Sequence, residues 1–322
     1  MEQIRPVQAD SRGPCTLTDG NAGNVRQAQS LARALGGRAW DVTLEPRAPW
    51  RWIAPRALPA AENAFGTAFH AMWMHAPAVA IGCGRQAALA TRLLRRRGSR
   101  VVQILDPRID PSYWDLVVAP EHDGLTGANV LTLLGSLNPV DDTWLAEARD
   151  AFPSFATLPS PRTAVLLGGD SAHYRFDADA FARLATRLDD TTADGSLLVT
   201  TSRRTPPAVI DAVRRRWAQR PHARVWCGPS DGPNPYAGLL GWADRIVCTP
   251  ESVNMLSEAC GTRVLVQVFE PHRVTGRPRR FLDVLLARGR IRDLADGPAP
   301  FDGEPLRETA RIAADVRARL GL

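Results

Sequence analysis

The stretch Asp231–Val268, DGPNPYAGLLGWADRIVCTPESVNMLSEACGTRVLVQV, reads as a short helix, a strand, a turn, a second helix and another strand. Arg245–Thr249 and Val264–Val268 are short apolar runs of strand type, and the helix between them opens at Ser252. Ser252 suits an N-cap, and the backbone amides behind it form a ready anion site. Glu258 lies about two helical turns further on, too far for a capping box. A phosphate at the helix tip and a carboxylate further along can hold the two ends of a nucleotide, its diphosphate and its ribose hydroxyls. Ordinary α/β structure also places Ser at N-caps and Glu on solvated helices, so the weight falls on the neighbouring turns.

The chain has 322 residues, enough for two domains. Hydrophobic residues make up 44% and charged residues 23%, the balance of a soluble globular protein. All 40 basic residues are Arg, and the formal net charge is +6. The opening MEQIRPVQADSRG has no apolar core of the secretory kind. The longest apolar run, Trp73–Gly82, is broken by His75 and Pro77 and is too short for a membrane span. Five scattered cysteines predict reduced thiols and a cytoplasmic setting, and no Cys/His spacing suggests zinc. Arg clusters at 92–100, 203–204, 214–216 and 273–280 lack a recognition module or interleaved aromatics, which argues against nucleic acid. A phosphate-bearing substrate or an anionic membrane fits them better.

Strand and helix patterns alternate along the whole chain. They predict an α/β fold of two doubly wound parallel-sheet, Rossmann-like domains facing across a cleft. The pattern pauses at PSFATLPSP, which sets an N-terminal domain at 1–152, a linker at 153–161 and a C-terminal domain at 162–322. Ligands of such sheets sit beyond the carboxyl ends of the strands. Polar, Gly-rich or Arg-bearing turns recur there: 19–23, 82–85, 106–108 and 120–123 in the first half, and 168–171, 201–204, 228–230 and 249–252 in the second.

The segments TDGNAGNVRQAQSLARAL, VVQILDPR, DLVVAPEHD, NVLTLLGSLNPV, VLLGGDSAHYRF, LLVTTSRRTP and NPYAGLLGWADRIVCTPESVNMLSEA span most of the chain. Together they resemble the bacterial relatives of the plant mitochondrial-fission protein named for elongated mitochondria, described as GT-B-type glycosyltransferases. One departure is Asn24, where His is expected in many members. A nucleoside-diphosphate-sugar epimerase, an older label for some members, fits less well: the first turn lacks G-x-G-x-x-G, and a chain without Lys has no Tyr-x-x-x-Lys pair.

The resemblance implies that the second domain holds a nucleotide-sugar donor. Gly168, Gly169 and Ser171 would approach the diphosphate, and Arg203 or Arg204 would neutralise it. Ser252 would cap the phosphate-facing helix, and Glu258 would take the ribose. No metal or other cofactor is expected, because Arg side chains and a helix dipole can stabilise the leaving diphosphate. The D-x-D string Asp177-Ala178-Asp179 opens a predicted helix and reads as a cap. The first domain would hold a lipid-linked or envelope saccharide acceptor, with His122 and Asp123 at a strand end as candidates for the base, and His173 as an alternative. Trp50, Trp52 and Ile53 among Arg51 and Arg56, with the basic end of the helix over 86–97, suggest peripheral contact with the inner face of an anionic membrane. The competing reading is a non-catalytic scaffold of the same shape that recruits a partner, as the fission relatives imply.

Overall fold

The computed structural model describes residues 13–36, 38–192, 194–297 and 300–322, so the reading of the opening segment lies outside the described residues. The first unit carries strands β1 (Cys15–Thr18), β2 (Trp40–Thr43), β3 (Val79–Cys83), β4 (Arg100–Ile104), β5 (Leu116–Pro120) and β6 (Val130–Leu133). They form one parallel sheet in the order β2-β1-β3-β4-β5-β6. Helices α1 (Ala22–Leu35), α2 (Trp50–Ile53), α3 (Gly66–Met74) and α4 (Arg85–Arg95) connect them. Successive strand residues feed opposite faces, as the two-residue period requires. Ala80, Val101 and Val117 enter one buried cluster with Phe69 and Leu89; Ile81, Val102 and Val118 enter another with Leu31 and Ile312. A parallel sheet covered on both faces explains why its strands read as apolar runs rather than alternating ones.

The second unit opens with α5 (Asp142–Ala151) and continues through β7 (Arg162–Leu167), α6 (Ala178–Thr191), β8 (Ser196–Thr201), α7 (Pro207–Trp217) and β9 (Ala223–Trp226). Next come α8 (Tyr236–Trp242), β10 (Arg245–Cys248), α9 (Val253–Cys260), β11 (Leu265–Val268), α10 (Gly276–Ala287) and β12 (Ile291–Asp293). Its parallel sheet runs β12-β11-β10-β7-β8-β9. The chain winds outward from β7 to β9, then returns beside β7 at β10 and winds the other way. This is the strand order of dinucleotide-binding Rossmann sheets, with its switch point between β7 and β10.

The division between units differs from the sequence expectation of 1–152, 153–161 and 162–322. The first unit runs to Asn138 and takes back Glu308–Leu322; the second is Pro139–Arg307. Two packing facts explain this. Helix α5 lies against α8 so closely that a Cβ on Gly238 would stand 2.5 Å from the Phe152 ring. The last helix, α11 (Glu308–Leu320), sends Ile312, Ala313, Val316 and Leu320 into the cluster that holds Ala28, Leu31 and Ala32 of α1. An amphipathic helix is read easily, but the sheet it covers depends on long-range packing.

Among the described residues no helix is long and apolar enough to cross a membrane. Trp50 is partly buried against the first unit's core, whereas Trp52 is 68% exposed. Arg85, at the start of α4, donates to the carbonyls of Arg51 and Trp52. Arg95–Arg97 follow at the other end of that 11-residue helix, about 15 Å away at 1.5 Å per residue.

Candidate functional site

Three loops of the second unit meet at its switch point. The first follows β7, the second follows β8 and the third follows β10. Gly168 N donates to Thr249 Oγ1 at 2.8 Å, and Gly169 N donates to Glu251 Oε1 at 3.0 Å. From the other side, Thr205 Oγ1 donates to the carbonyls of Leu167 and Gly168. Ser202 N donates to Thr205 Oγ1 at 2.9 Å and Arg204 N to Ser202 Oγ at 3.1 Å, so the middle loop is folded on itself.

The two glycines are required by this interlock. A Cβ on Gly168 would stand 1.5 Å from Glu251 Oε1, and one on Gly169 would stand 2.0 Å from the Arg204 carbonyl oxygen. Close backbone approach, rather than an unusual φ, is what glycine supplies here. Ser252 caps α9 by accepting from Met255 N at 3.4 Å, the role its position predicts. The partial positive charge of the α9 N-terminus thus faces the same turn.

Glu251 is the residue that sequence reasoning passed over. Its side chain is fully buried, and Oε2 has no hydrogen-bond partner among the described residues. Burial raises its pKa above the usual carboxylate range; the Gly169 amide and Thr249 hydroxyl oppose this, as does Arg204, whose Nη2 is 3.8 Å from Oε1. One signal in the sequence could have marked it. A carboxylate directly before an N-cap, in the short turn after the apolar run Ile246–Cys248, has little water to face.

The other expected site residues fall as follows. Arg204 reaches this cluster from an exposed position; Arg203, beside it, is exposed as well. Ser171 is committed to its own loop: Oγ accepts from His173 N at 3.1 Å and Tyr174 N at 3.0 Å. The ring of His173 lies against the start of α10, where a Cβ on Gly276 would stand 2.8 Å from it. Glu258 is buried, and its Oε2 accepts from the Tyr236 hydroxyl at 2.5 Å. It is thus a held carboxylate and not a solvated helix residue. Asp177 accepts from Ala180 N at 3.0 Å and caps α6, as the D-x-D string was read. A further carboxylate, Glu270 at the end of β11, sits at φ 45 and is gripped by Arg183 through two 3.0 Å bonds. That guanidinium holds its pKa down, against the opposing effect of burial.

In the first unit the switch point lies between β1 and β3. Asp19 accepts from Asn24 Nδ2 at 2.9 Å, and from Asn21 through its amide nitrogen at 3.1 Å and Nδ2 at 2.7 Å. Asn24, the departure from the family's His, therefore orients Asp19. Burial and the Asp19 charge push the Cys83 thiol, which contacts Asn24 Oδ1 at 3.6 Å, far up in pKa. His122 and Asp123 share one short helical turn, Glu121–Asp123, that closes β5. Asp106, at the end of β4, is engaged with Arg108 through bonds of 2.8 Å to the amide and 3.2 Å to Nη1.

These loop-bearing parallel sheets have known counterparts. The chain is similar in fold to UDP-GlcNAc 2-epimerase from Methanocaldococcus jannaschii, with a TM-score of 0.55 and 11% identity over 95% of this chain and 99% of that one. It is similar to Os79 from O. sativa, solved in complex with UDP, with a TM-score of 0.51 and 12% identity over 94% of this chain and 90% of that one. Such likeness establishes the architecture, two Rossmann-like units of GT-B type. In sequence it is 30% identical, over 76% of its length, to the mitochondrial fission protein ELM1 of Arabidopsis thaliana. The matched region spans 64% of that protein. The family model for mitochondrial fission ELM1 matches residues 22–320, almost the whole chain, and the chain belongs to this family.

Proposed function

We propose that the second unit binds a nucleotide sugar and that the protein is a metal-independent glycosyltransferase. The observation that carries this reading is the switch-point interlock, in which the Gly168-Gly169 turn is locked against Thr249, Glu251 and Arg204 at the tip of α9. A helix N-terminus and an arginine at a switch-point turn suit a diphosphate. Glu258, buried in the same helix, is the group proposed for the ribose. Os79 is solved with UDP, which makes UDP-sugars the first donors to test.

The acceptor in this reading is a lipid-linked or envelope saccharide, and His122 or Asp123 takes the proton of its attacking hydroxyl. No metal or other cofactor takes part, and nucleotide binding should survive EDTA. The protein would work in the cytoplasm, peripherally at the inner face of the membrane. Identity to a plant fission protein supports a second reading, a recruitment scaffold that has kept the shape of a transferase. A thermal-shift panel of UDP-, GDP-, CMP- and dTDP-sugars separates the two. A ligand at a hundredfold excess over its Kd should add about 2.7 kcal/mol of stability. No shift with any donor would favour the scaffold.

A further inference from the structure

We infer that the amino-terminal rim of the first unit's sheet is a docking face for an anionic phospholipid surface. The inference deepens the peripheral-membrane part of the reading above and does not depend on which nucleotide binds.

Two concavities of about 570 and 280 Å³ open on this rim and share Arg95. Arg95, Arg100 and Arg319 line the larger, with Asp115 as its acidic member; Arg92, Arg95, Arg96 and Tyr113 line the smaller. Helix C-termini favour arginine, which accounts for its placement at the ends of α4 and α11. It does not account for how the guanidinium groups are held. Arg92 donates to the Pro55 carbonyl, Arg100 to those of Leu320 and Gly321, and Arg319 to that of Ala128. A carbonyl orients a guanidinium without neutralising it. Among the described residues, Arg95 is the one of these arginines with a carboxylate partner on the rim, Asp115 at 2.9 Å. The result is a set of positive charges fixed in place before any anion arrives. Burial lowers the Arg92 pKa; Tyr113 opposes this, and the neighbouring Arg96 charge adds a smaller lowering.

The exposed apolar side chains point to a bilayer rather than to a soluble phosphate. Met74 ends α3 and is 50% exposed, Tyr113 precedes β5 and is 46% exposed, and Leu322 follows α11 and is 49% exposed. All three lie at the ends of elements that lead into, or pack beside, the amino ends of β3 to β6. Arg97 joins them, with its guanidinium 4.7 Å from the Trp73 ring centre. Arginine heads among scattered Met, Tyr and Leu are the composition of an interfacial surface. Trp52, on α2 with its carbonyl against Arg85 at the start of α4, is not part of it.

The test is co-sedimentation of the full chain with vesicles of phosphatidylcholine alone and of equimolar phosphatidylglycerol and phosphatidylcholine. The wild type should pellet with the anionic vesicles only and be released by salt. Arg96→Gln with Arg97→Gln and Arg319→Gln should weaken partitioning by on the order of a hundredfold, at roughly fivefold per charge. The triple variant should keep its nucleotide thermal shift, so failure of the rim and failure of donor binding are read separately. Arg96→Glu, at an exposed position, gives a second probe if the triple variant melts early. Trp52→Ala should leave partitioning within about twofold of wild type. Inorganic pyrophosphate at matched ionic strength should not compete. Three results would each overturn the assignment: no binding to anionic vesicles, full binding by both Arg variants, or displacement by pyrophosphate, which would mean a discrete phosphate site instead.

Discussion

Glu251 fills the space that a side chain on Gly168 would need: a Cβ there would stand 1.5 Å from Oε1. The two residues come from opposite sides of the switch point, one after β7 and one after β10. Their fit makes the glycine loop and the turn before α9 a single object.

Gly168→Ala should therefore displace the loop and weaken nucleotide binding at least tenfold. Glu251→Ala in the same chain should recover part of that loss, because the space is then free. Calorimetric titration of the single and double variants gives the coupling directly, and strictly additive effects would mean that the contact carries no weight.

Glu251 also makes stability depend on pH in a definite direction. Its folded-state pKa is raised, chiefly by burial, so its contribution is fully present below the ordinary carboxylate pKa and is lost as pH rises through the raised value. Glu251→Gln keeps an acceptor for Gly169 N and removes the titration. The variant should melt increasingly above wild type as pH rises above the ordinary carboxylate pKa. Parallel melting curves across that range would show that Glu251 titrates normally.

Glu258→Ala should weaken nucleotide binding by about 1.5–3 kcal/mol, the loss of charge-assisted hydrogen bonds, while the fold persists. Tyr236→Phe removes the bond to Oε2 and should cost less, about 1 kcal/mol. Equal losses would make the pair a packing unit rather than a ribose site. Unchanged affinity in Glu258→Ala would remove its ribose role.

If His122 or Asp123 takes the acceptor's proton, replacing it should lower turnover about 10²-fold or more with donor affinity nearly intact. Steady-state kinetics beside donor titration separates the two effects. Near-normal turnover in both variants would turn attention to Asp19, which Asn21 and Asn24 already hold in a fixed orientation.

The alternation of apolar runs and polar turns was enough to determine an α/β chain of two doubly wound sheets. A strand buried on both faces must read as a continuous apolar run, and a parallel pair needs a helix between its members. The N-caps Ser252 and Asp177 were legible for the same reason: capping acts over three residues. Long-range placement was not legible. The sequence could not show that α11 returns to the first unit or that α5 leaves it. Nor could it show which of two neighbouring acidic or basic residues turns inward. Glu251 is buried one position before the Ser252 cap, and Arg204 approaches it although both Arg203 and Arg204 are exposed. A pattern reports the period of an element. The burial of a single charge depends on what the distant strands β7, β8 and β10 bring against it, and only the folded chain sets that.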